Sequence, residues 1–344
     1  MGAYWNLPTL WFLLIAVLWM GYFFLEGFDF GVGILLPFLG RDDLDRRVLL
    51  NTIGPHWDGN EVWLLVAGGA MFAAFPEWYA TVFSGFYLAL FLILVALIFR
   101  AVAFEFRGKV EDPRWRSAWD WAIFFGSLVP ALLWGVAFAD FLHGVPLNAQ
   151  HEFTGNFFDL VGPYALFGGV MSLTLFTLHG ALFLVLKTDG AMRIRARLAA
   201  ARLFWFALVG LVGFLTLSYA NALATNDRGI VPDLVPLTAI AALVAVGWFR
   251  REHWDLTAFL LNGAAIVLTT ATIFLNLYPR VLISTVDRAA NSLTIANASS
   301  SHYTLVVMSV VAAFFVPIVL GYQAWTYWVF RKRISREPEP VPAL

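Results

Sequence analysis

Apolar runs of about 20 residues recur along the whole sequence, and they constrain the fold more than any other feature. Each run is long enough to cross roughly 30 Å of hydrocarbon as an α-helix, whereas the strands of an outer-membrane barrel alternate apolar and polar residues over about ten positions. With 60% hydrophobic and 13% charged residues, the 344-residue chain also lacks the polar surface of a soluble protein. The sequence therefore predicts an all-α polytopic membrane protein.

Hydropathy and helix stop signals predict nine transmembrane helices. No Lys or Arg precedes the first run, which is far longer than a signal-peptide core, so we expect a retained membrane helix. The predicted spans are 8–38, 60–76, 79–99, 117–140, 160–186, 203–220, 234–249, 256–277 and 303–330. We expect one membrane domain over 1–335, with halves at about 1–186 and 203–330, and a disordered cytoplasmic tail at 336–344.

The positions of Lys and Arg predict how the chain crosses the membrane. With the nine spans above, all of the 22 basic residues except Arg228, Arg280 and Arg288 fall on one side, which the positive-inside rule makes cytoplasmic. We therefore expect the N-terminus outside and the C-terminus in the cytoplasm. Two outer loops are long, at about 141–159 and 278–302; the second either packs as a cap, meets a partner or is flexible.

The composition excludes several kinds of cofactor site. The chain has no cysteine, which excludes disulfides, thiolate metal sites and iron–sulfur clusters. Of its six histidines only His179 lies deep in a predicted span, where a lone histidine is usually a hydrogen-bonded core residue. Haem b needs two axial ligands or an open site with a distal pocket, so we expect no haem held by this chain alone. The glycines of GFDFGVG lack the strand–turn–helix setting of a nucleotide site, and we expect no nucleic-acid partner.

Acidic residues at membrane depth are costly, at about 3 kcal/mol each on insertion scales, and usually have a task. Glu26 and Asp29 are three residues apart in LEGFDFGVG and so share a helix face. Gly27 and Gly31 form an adjoining strip of small residues that permits close helix packing. The alternative is that the first span ends near Leu25, which would make the two acids interfacial.

The segment HWDGNE, at 56–61, precedes the second predicted span. Asp58 and Glu61 have the D-x-x-E spacing of a capping box, which would occupy them with free backbone N–H groups. A cap requires neither His56 nor Trp57, so the segment also fits an entrance for protons or a polar ligand. After the third span, Arg100, Glu105, Arg107 and Lys109 form either a hydrated mouth or a solvated run of charges that follows the positive-inside rule.

Several long segments resemble subunit II of the cytochrome bd-type terminal quinol oxidases. They are EGFDFGVGILLPFLGRDDLDRR, NTIGPHWDGNEVWLLVAGGAMFAAFPEWYATVFSGFY, FEFRGKVEDPRWRSAWDWAIFFGSLVPALLWGVAFAD, TGNFF and SLTIANASSSHYTLVVMSVVAAFFVPIVLGYQAWTYW. The resemblance runs nearly end to end and is weakest around 187–280. It implies nine helices, arranged as two four-helix bundles and one peripheral helix, in the bacterial plasma membrane.

The resemblance also implies a function and partners. In this family a haem-bearing subunit I holds haems b and d and the quinol site, and the complex couples quinol oxidation to the reduction of dioxygen to water. Chemical protons come from the cytoplasm and quinol protons leave outside, so a proton gradient forms without pumping. The chain would support subunit I, in contact with membrane lipid and quinone. A structural quinone and a small accessory subunit are left open.

Where the family's motifs match this sequence, the resemblance implies roles for individual residues. Asp58 corresponds to the proton-path acid of HWDGN, and Glu105 and Lys109 correspond to an acid and a lysine at a cytoplasmic proton mouth. Position 105 is Glu where other members have Asp, which changes the reach of the carboxyl group. Asp29 matches an acid with either a structural or a proton role. Trp63 and Arg100 match positions of the oxygen route. The resemblance gives no role to His179, and none that we adopt to Glu26 or Glu61.

Two other functions fit some of the same features. A proton-coupled transporter would also keep carboxyl groups in the first spans, but it should show comparable broken or charged helices in both halves. Here ionisable groups at membrane depth almost vanish after residue 160. A cytochrome that binds haem independently would show a Soret band when the chain is purified alone. The leading interpretation is a non-haem oxidase subunit that is not catalytic alone.

Overall fold

The computed structural model describes residues 6–224 and 234–336, and these residues form an almost entirely helical structure. The helices are α1 (Leu7–Leu39), α2 (Asp43–Ile53), α3 (Trp57–Ala74), α4 (Pro76–Gly85), α5 (Tyr87–Phe106), α6 (Pro113–His143), α7 (Pro163–Lys187), α8 (Gly190–Ala224), α9 (Leu234–Arg251), α10 (Asp255–Leu277) and α11 (His302–Val329), with a 3₁₀ helix at Phe157–Leu160. Two short strands are β1 (Arg280–Leu282) and β2 (Leu293–Thr294). Arg228 and the predicted tail from 337 onward lie outside the described residues.

Eight of these helices are long and apolar enough to cross a membrane: α1 and α5 to α11. They coincide with eight of the predicted spans, which confirms the prediction of an all-α polytopic membrane protein. The remaining predicted span, 60–76, falls on α3, whose 18 residues include Asp58 and Glu61 in the first turns. Helices α2 and α4 are shorter, with 11 and 10 residues.

Helix α1 lies at the centre of the molecule and packs against α3, α6, α7 and α10. The predicted strip of small residues lets α7 approach closely, because a Cβ atom at Gly31 would lie 2.7 Å from the Cα atom of Gly180. A Cβ atom at Gly27 would similarly lie 2.8 Å from the ring of Phe176. The predicted role of the strip in helix packing is therefore confirmed.

Helices α5 and α6 pack side by side next to α1, and α7 to α10 form the other side of the molecule. Helix α11 is peripheral, since Leu305 is its one buried residue. It contacts α1 and α3, so the end of the chain returns to helices formed by its beginning. This return places side chains of α11 beside the polar residues of α1 and α3.

Two boundary predictions are wrong. The span predicted at 79–99 is two helices, because α4 ends at Gly85 and α5 runs from Tyr87 to Phe106. Arg100 and Glu105 are therefore helical residues rather than part of a cytoplasmic loop. The loop predicted between 187 and 202 is largely the first part of α8, which begins at Gly190. In both places basic residues suggested the end of a span, but arginine is a good helix former and ends no helix by itself.

The predicted outer loop 278–302 packs as a cap. Strands β1 and β2 pair antiparallel, and Val281, Leu282 and Leu293 have no exposed surface. The segment after α6 joins this cap, since the N–H of Val145 donates to the carbonyl of Ile283 at 2.9 Å. The ends of α6 and α10 are thereby held together on the predicted outer side.

Candidate functional site

A cluster of charged residues lies inside the bundle where α1, α3 and α5 meet. Arg100 of α5 and Glu26 of α1 have no exposed side-chain surface, and Nη1 of Arg100 donates a hydrogen bond to Oε1 of Glu26. Glu61 of α3 lies 3.9 Å from the same Nη1 atom, and 22% of its side chain is exposed. One guanidinium group thus faces two carboxyl groups, and the cluster reaches the surface through Glu61.

Aromatic and small residues shape the pocket of Arg100. Its guanidinium carbon lies 4.9 Å from the ring centre of Phe30 and 5.6 Å from that of Phe104, which are distances typical of cation–π contacts. A Cβ atom at Gly126 of α6 would come within 2.6 Å of the Cβ atom of Arg100. Glycine at position 126 is therefore required for α6 to pack against the buried arginine.

Asn60 links a second set of polar side chains to this cluster. Its amide nitrogen donates to Oδ2 of Asp29 at 2.7 Å. Its amide oxygen accepts hydrogen bonds from the hydroxyl of Tyr327 at 2.8 Å and from Nε2 of Gln323 at 3.2 Å. Asn60 and Asp29 are buried. The side chain of Asn60 therefore joins α1, α3 and α11 inside the bundle.

Trp63 extends this chain of hydrogen bonds along α3. Its indole N–H donates to Oε1 of Gln323 at 2.9 Å. A Cβ atom at Gly21 of α1 would lie 2.2 Å from the Trp63 ring, so the missing side chain at position 21 makes the space that the indole occupies. Trp63 is half-buried and lies between α1 and α11 rather than within the charged cluster.

The cluster is not saturated by protein hydrogen bonds. Within the described part of the chain, Oε2 of Glu26, Oδ1 of Asp29, Oε2 of Glu61 and both Nε and Nη2 of Arg100 make no hydrogen bond. Buried polar atoms are normally satisfied by protein or ordered water. Three carboxyl groups beside one guanidinium group also exceed the positive charge available, and uncompensated buried charge is costly. The arrangement is therefore suited to hold protons and water.

The structure brings together only part of the predicted site. Asp29, Arg100 and Trp63 belong to the buried cluster or to its hydrogen-bonded extension, whereas Asp58, Glu105 and Lys109 are exposed. The start of α3 contacts the end of α5, since the rings of Trp57 and Phe104 are 4.9 Å apart. The predicted proton-path residues therefore separate into an exposed group and a buried group.

The predicted capping box is wrong. Helix α3 begins at Trp57, its N-cap residue is His56, and no side chain caps the free N–H groups. Asp58 thus lies inside the first turn, where its negative charge still favours the positive end of the helix dipole. Glu61 is directed into the bundle toward Arg100. Neither carboxyl group is occupied by capping, and both remain available for other interactions.

His56 is a buried, uncharged residue at the start of α3. Its ring stacks on that of Tyr327, with 4.3 Å between ring centres. Burial and, to a smaller extent, the positive charge of Lys187 together lower the pKa of His56 to about 4. The imidazole is therefore neutral around pH 7, so the acids of this segment rather than its histidine are suited to exchange protons.

An ion-pair network lies at the predicted cytoplasmic ends of α2, α5 and α6. Arg107 donates to Oδ1 of Asp120 at 2.5 Å and to Oδ1 of Asp43 at 2.8 Å. Arg46 donates to Asp120 at 2.7 Å, and Arg116 donates to Asp43 at 3.0 Å. Arg107 is thus a paired structural residue, whereas the prediction placed it in an open mouth or a solvated run of charges.

The segment 331–336, here called the C-terminal segment, is fixed to the same end of the molecule. Arg336 donates to Asp45 at 3.0 Å and to Asp42 at 2.7 Å, and Arg195 of α8 also donates to Asp45 at 2.8 Å. Burial alone would raise the pKa of Asp45, but the hydrogen bonds from the Arg195 side chain and the Arg41 backbone N–H, with the charges of Arg195 and Arg336, more than offset it and lower the pKa. Asp45 therefore remains ionised and connects α2, α8 and the C-terminal segment.

His179 is a packed core residue, as predicted. Its Nε2 atom is 3.1 Å from the carbonyl oxygen of Phe24, and its ring stacks on Phe259 with 4.4 Å between ring centres. These contacts occupy Nε2 and one face of the ring, whereas Nδ1 makes no hydrogen bond within the described residues. Among residues 6–224 and 234–336, no group of three or more His, Asp or Glu side chains is arranged to hold a metal ion.

Sequence reasoning gave no role to several residues of the site: Glu26, Asn60, Glu61, Gln323 and Tyr327. One signal was available, because Glu26 shares a helix face with Asp29 and both had been expected at membrane depth. The contacts of Asn60 with Gln323 and Tyr327 join residues that are 263 and 267 positions apart. No local pattern indicates such a pairing.

Comparisons with known proteins agree on the family. The family model described as cytochrome bd terminal oxidase subunit II matches residues 7–330. Over 337 residues, 98% of this chain and 99% of the relative, the chain is 46% identical to "Cytochrome bd ubiquinol oxidase subunit 2" of Bacillus subtilis (strain 168). Over 367 residues, 96% of each chain, it is 40% identical to "Cytochrome bd-I ubiquinol oxidase subunit 2" of Escherichia coli (strain K12).

A solved structure has the same fold. It is "The structure of bd oxidase from Geobacillus thermodenitrificans", with a TM-score of 0.71 and 16% sequence identity over 94% of this chain and 98% of that chain. At this identity the likeness shows the fold, whereas the family model and the two relatives show the family. The chain therefore belongs to the family of cytochrome bd terminal oxidase subunit II.

Proposed function

We propose that the chain is the non-haem second subunit of a membrane quinol oxidase, which oxidises quinol and reduces dioxygen to water. The match of the subunit II family model to residues 7–330 carries this proposal. The names of the relatives specify ubiquinol oxidase as the complex to which such a subunit contributes. The packing of His179 supports a chain that holds no haem itself, with haems b and d in the partner.

The partner is a haem-bearing subunit I, which docks on the side of the chain formed by α3, α5 and α11. Apolar side chains on these helices are exposed, among them Leu65, Phe91, Phe99 and Phe314. The charged cluster approaches this side through the partly exposed Glu61. A partner docked here would cover apolar surface and place its own groups next to Glu61. A small accessory subunit, a structural quinone and membrane lipid are further candidates for contact.

Protons for the reduction of dioxygen enter along the exposed and then the buried carboxyl groups. Glu105 and Lys109 receive protons from the cytoplasm near the end of α5, and Asp58 is the exposed acid at the start of α3, which contacts the end of α5 through Trp57 and Phe104. Glu61, which is one helical turn further along α3, leads to the buried Glu26 and Asp29. The unpaired carboxylate oxygens of this cluster support proton transfer to the partner.

Dioxygen reaches the partner past Trp63 and Arg100. Trp63 lies half-buried between α1 and α11, with apolar residues exposed around it on α3. Arg100 lies deeper in the bundle. Because it pairs with Glu26, its main role is to hold the charged cluster together, and its position near the haem side of the partner is a secondary role. Trp63 is accordingly the residue that can guide an apolar gas from the membrane.

We propose that α3 crosses the membrane in addition to the eight long apolar helices, which gives nine spans within the described residues. In this proposal α1, α3, α5 and α6 form one four-helix bundle, α7 to α10 form the other, and α11 is the peripheral helix. This grouping differs from the predicted halves at 1–186 and 203–330, because it takes α7 out of the first half and α11 out of the second. The N-terminus is outside and the C-terminus is cytoplasmic, which places the ion pairs of Arg107 and of Asp45 at the cytoplasmic surface. The packing of α1 against α6 and α7 supports a single membrane domain made of two halves.

Purification of the tagged full-length chain from its native membrane in mild detergent tests the proposal. We expect one larger membrane polypeptide to copurify, a Soret band that belongs to this complex, and dioxygen consumption that depends on added quinol. Haem at unit stoichiometry on the chain purified alone would overturn the proposal, and so would a copurifying complex that shows no oxidase activity.

A further inference from the structure

An apolar cavity of about 40 Å³ lies where α1, α6, α7, α8 and α10 meet. Side chains from all five helices line it, including Phe23, Phe138, Leu175, Phe214 and Ile273, and each of these five residues is buried. The cavity is thus deep in the molecule, at the junction of the two halves. No role assigned above uses it.

The hydroxyl groups along the cavity are already engaged. Ser172 donates to the carbonyl oxygen of Ala131 at 2.6 Å, while Thr269 and Thr270 donate to carbonyl oxygens of their own helix at 2.7 Å and 2.9 Å. A buried water molecule typically needs two to four polar partners. The O–H donors are thus used within the protein, and the surface that lines the cavity is almost entirely apolar, which favours an apolar occupant over water.

Trp134 is the lining residue most favourable to water, because its indole N–H makes no hydrogen bond within the described residues. The edge of its ring packs against Tyr22, with 6.2 Å between ring centres. A water that accepted from this N–H would have to find its remaining partners among the lone pairs of the hydroxyl oxygens of the lining. Water remains the alternative occupant that an experiment has to distinguish.

The size of the cavity limits what it can hold. It exceeds the roughly 10–15 Å³ needed for one water molecule, and it is far below the roughly 150 Å³ of an engineered apolar cavity that stays dry and binds benzene or xenon. A space of about 40 Å³ fits a single xenon atom or a diatomic gas. Larger apolar ligands such as a quinone ring are excluded without rearrangement of the helices.

We infer that this cavity is a binding site for one small apolar gas molecule, and that dioxygen occupies it in the working complex. The cavity lies in the apolar interior of a membrane protein, where dioxygen dissolves more readily than in water. It is built mainly from α6, α7, α8 and α10, and so it is separate from the route past Trp63. The assignment of dioxygen rests on the proposed function, whereas the binding of an apolar gas does not.

Crystals of the purified complex, pressurised with xenon, test the site directly. We expect anomalous density for one xenon atom between Phe23, Leu175 and Ile273. Absence of xenon from this position, or an ordered water that xenon does not displace, would overturn the inference. A second set of crystals pressurised with dioxygen should show diatomic density at the same place. Xenon without dioxygen there would overturn the assignment of dioxygen.

Two variants and a matched control locate the gas. Thr270→Leu fills part of the cavity and should abolish xenon binding, whereas Thr272→Leu makes the same change at an equally buried position of α10 that does not line the cavity. Ile273→Ala enlarges the cavity and should retain or increase xenon occupancy, which keeps the test informative if Thr270→Leu does not fold. Xenon that persists in Thr270→Leu would contradict the inference.

These measurements use the resting complex without quinol, so they are independent of turnover. Quinol-dependent dioxygen consumption of the same preparations tests the proposed function separately. A complex that consumes dioxygen but binds no xenon at this position rejects the cavity site alone. A complex that binds xenon but has no oxidase activity rejects the proposed function and, with it, the assignment of dioxygen.

Discussion

Arg100 of α5 donates a hydrogen bond to Glu26 of α1 in a part of the bundle where neither side chain has any exposed surface. An ion pair with this degree of burial is sensitive to the loss of either partner, because the remaining charge stays buried without compensation. The pair therefore fixes the position of α5 relative to α1. It also determines the charge that Glu61 and Asp29 experience.

Replacement of Arg100 by Gln should destabilise the subunit by about 3–5 kcal/mol, since Glu26 would be left without its hydrogen-bond donor. Glu26→Gln should be less harmful, because Glu61 is still 3.9 Å from the guanidinium group. The thermal midpoint of the purified complex and the yield of folded subunit measure both effects. The exposed Arg331 provides a control, and Arg331→Gln should leave both quantities unchanged. Equal stability of Arg100→Gln and Arg331→Gln would contradict the structural role of the pair.

Removal of a hydroxyl group from α11 tests the contact that joins it to α3. Tyr327→Phe deletes the hydrogen bond to the amide oxygen of Asn60 and should cost about 0.5–1.5 kcal/mol. The loss stays modest because Gln323 still donates to the same oxygen. Tyr322→Phe is a matched control on the same helix, as Tyr322 is 65% exposed. Thermal unfolding of the complex should separate the two variants, and identical midpoints would argue against the contact.

The close approach of α1 and α7 depends on glycine at position 180. In Gly180→Leu the new side chain would collide with the backbone of Gly31, whose Cα atom lies 2.5 Å from a Cβ built at position 180. The clash involves backbone rather than a flexible side chain, so we expect little folded subunit to be recovered. Gly321→Leu is the control, because nothing lies within 4 Å of a Cβ there. Detergent-solubilised yield and size-exclusion profiles provide the measurement. Normal yields of Gly180→Leu would mean that the two helices can separate freely.

The C-terminal segment should stay attached through neutral pH and detach in acid. The pKa of Asp45 is lowered in the folded protein, so its ion pairs add stability above the unfolded pKa of about 3.9, and this contribution is lost as the pH falls through the lower folded value. Hydrogen exchange of residues 331–336 should show protection at pH 7 that persists to about pH 4 and then declines. Asp45→Asn should reduce the protection near Arg336 already at pH 7, while the N–H of Ile334, which donates to the carbonyl of Lys187 at 2.8 Å, should stay protected. Unchanged protection in that variant would show that other contacts hold the segment.

Asp58→Asn tests the exposed end of the proposed proton route. The carboxyl group is exposed and caps no helix end, so its loss should reduce dioxygen consumption several-fold while the haem spectrum of the complex remains normal. Glu111→Gln is the control, since Glu111 is also exposed and lies outside the route. Oxygen-electrode assays with excess quinol compare the two variants. Full activity of Asp58→Asn would mean that Asp58 contributes only a favourable interaction with the helix dipole at the start of α3.

The positions of eight long apolar helices could be predicted because they depend on local composition, although the bounds of α5 and α8 could not. Helices α1, α7 and α11 start and end within a few residues of the predicted spans, since hydropathy and proline or glycine positions determine those ends. The position of Arg100 could not be predicted in this way. A charged residue after an apolar run normally lies outside the membrane, and only its pairing with Glu26 explains why it is inside.

The buried polar site depends on contacts between distant parts of the sequence. Asn60 lies close to Asp58 in the sequence, but its hydrogen-bond partners are on α1 and α11, which are distant in the sequence. The capping pattern at Asp58 and Glu61 was locally plausible, but α3 starts at Trp57 and Glu61 is drawn toward Arg100 instead. Local propensity was overridden here by tertiary interactions, as is common at functional sites.

The return of α11 to α1 and α3 has a consequence for biosynthesis. The amide oxygen of Asn60 takes both of its donors from Gln323 and Tyr327, which emerge from the ribosome more than 260 residues later. Until α11 is made, the amide oxygen of Asn60 lacks both of these donors, so the polar contacts of α3 are complete only in the full-length chain.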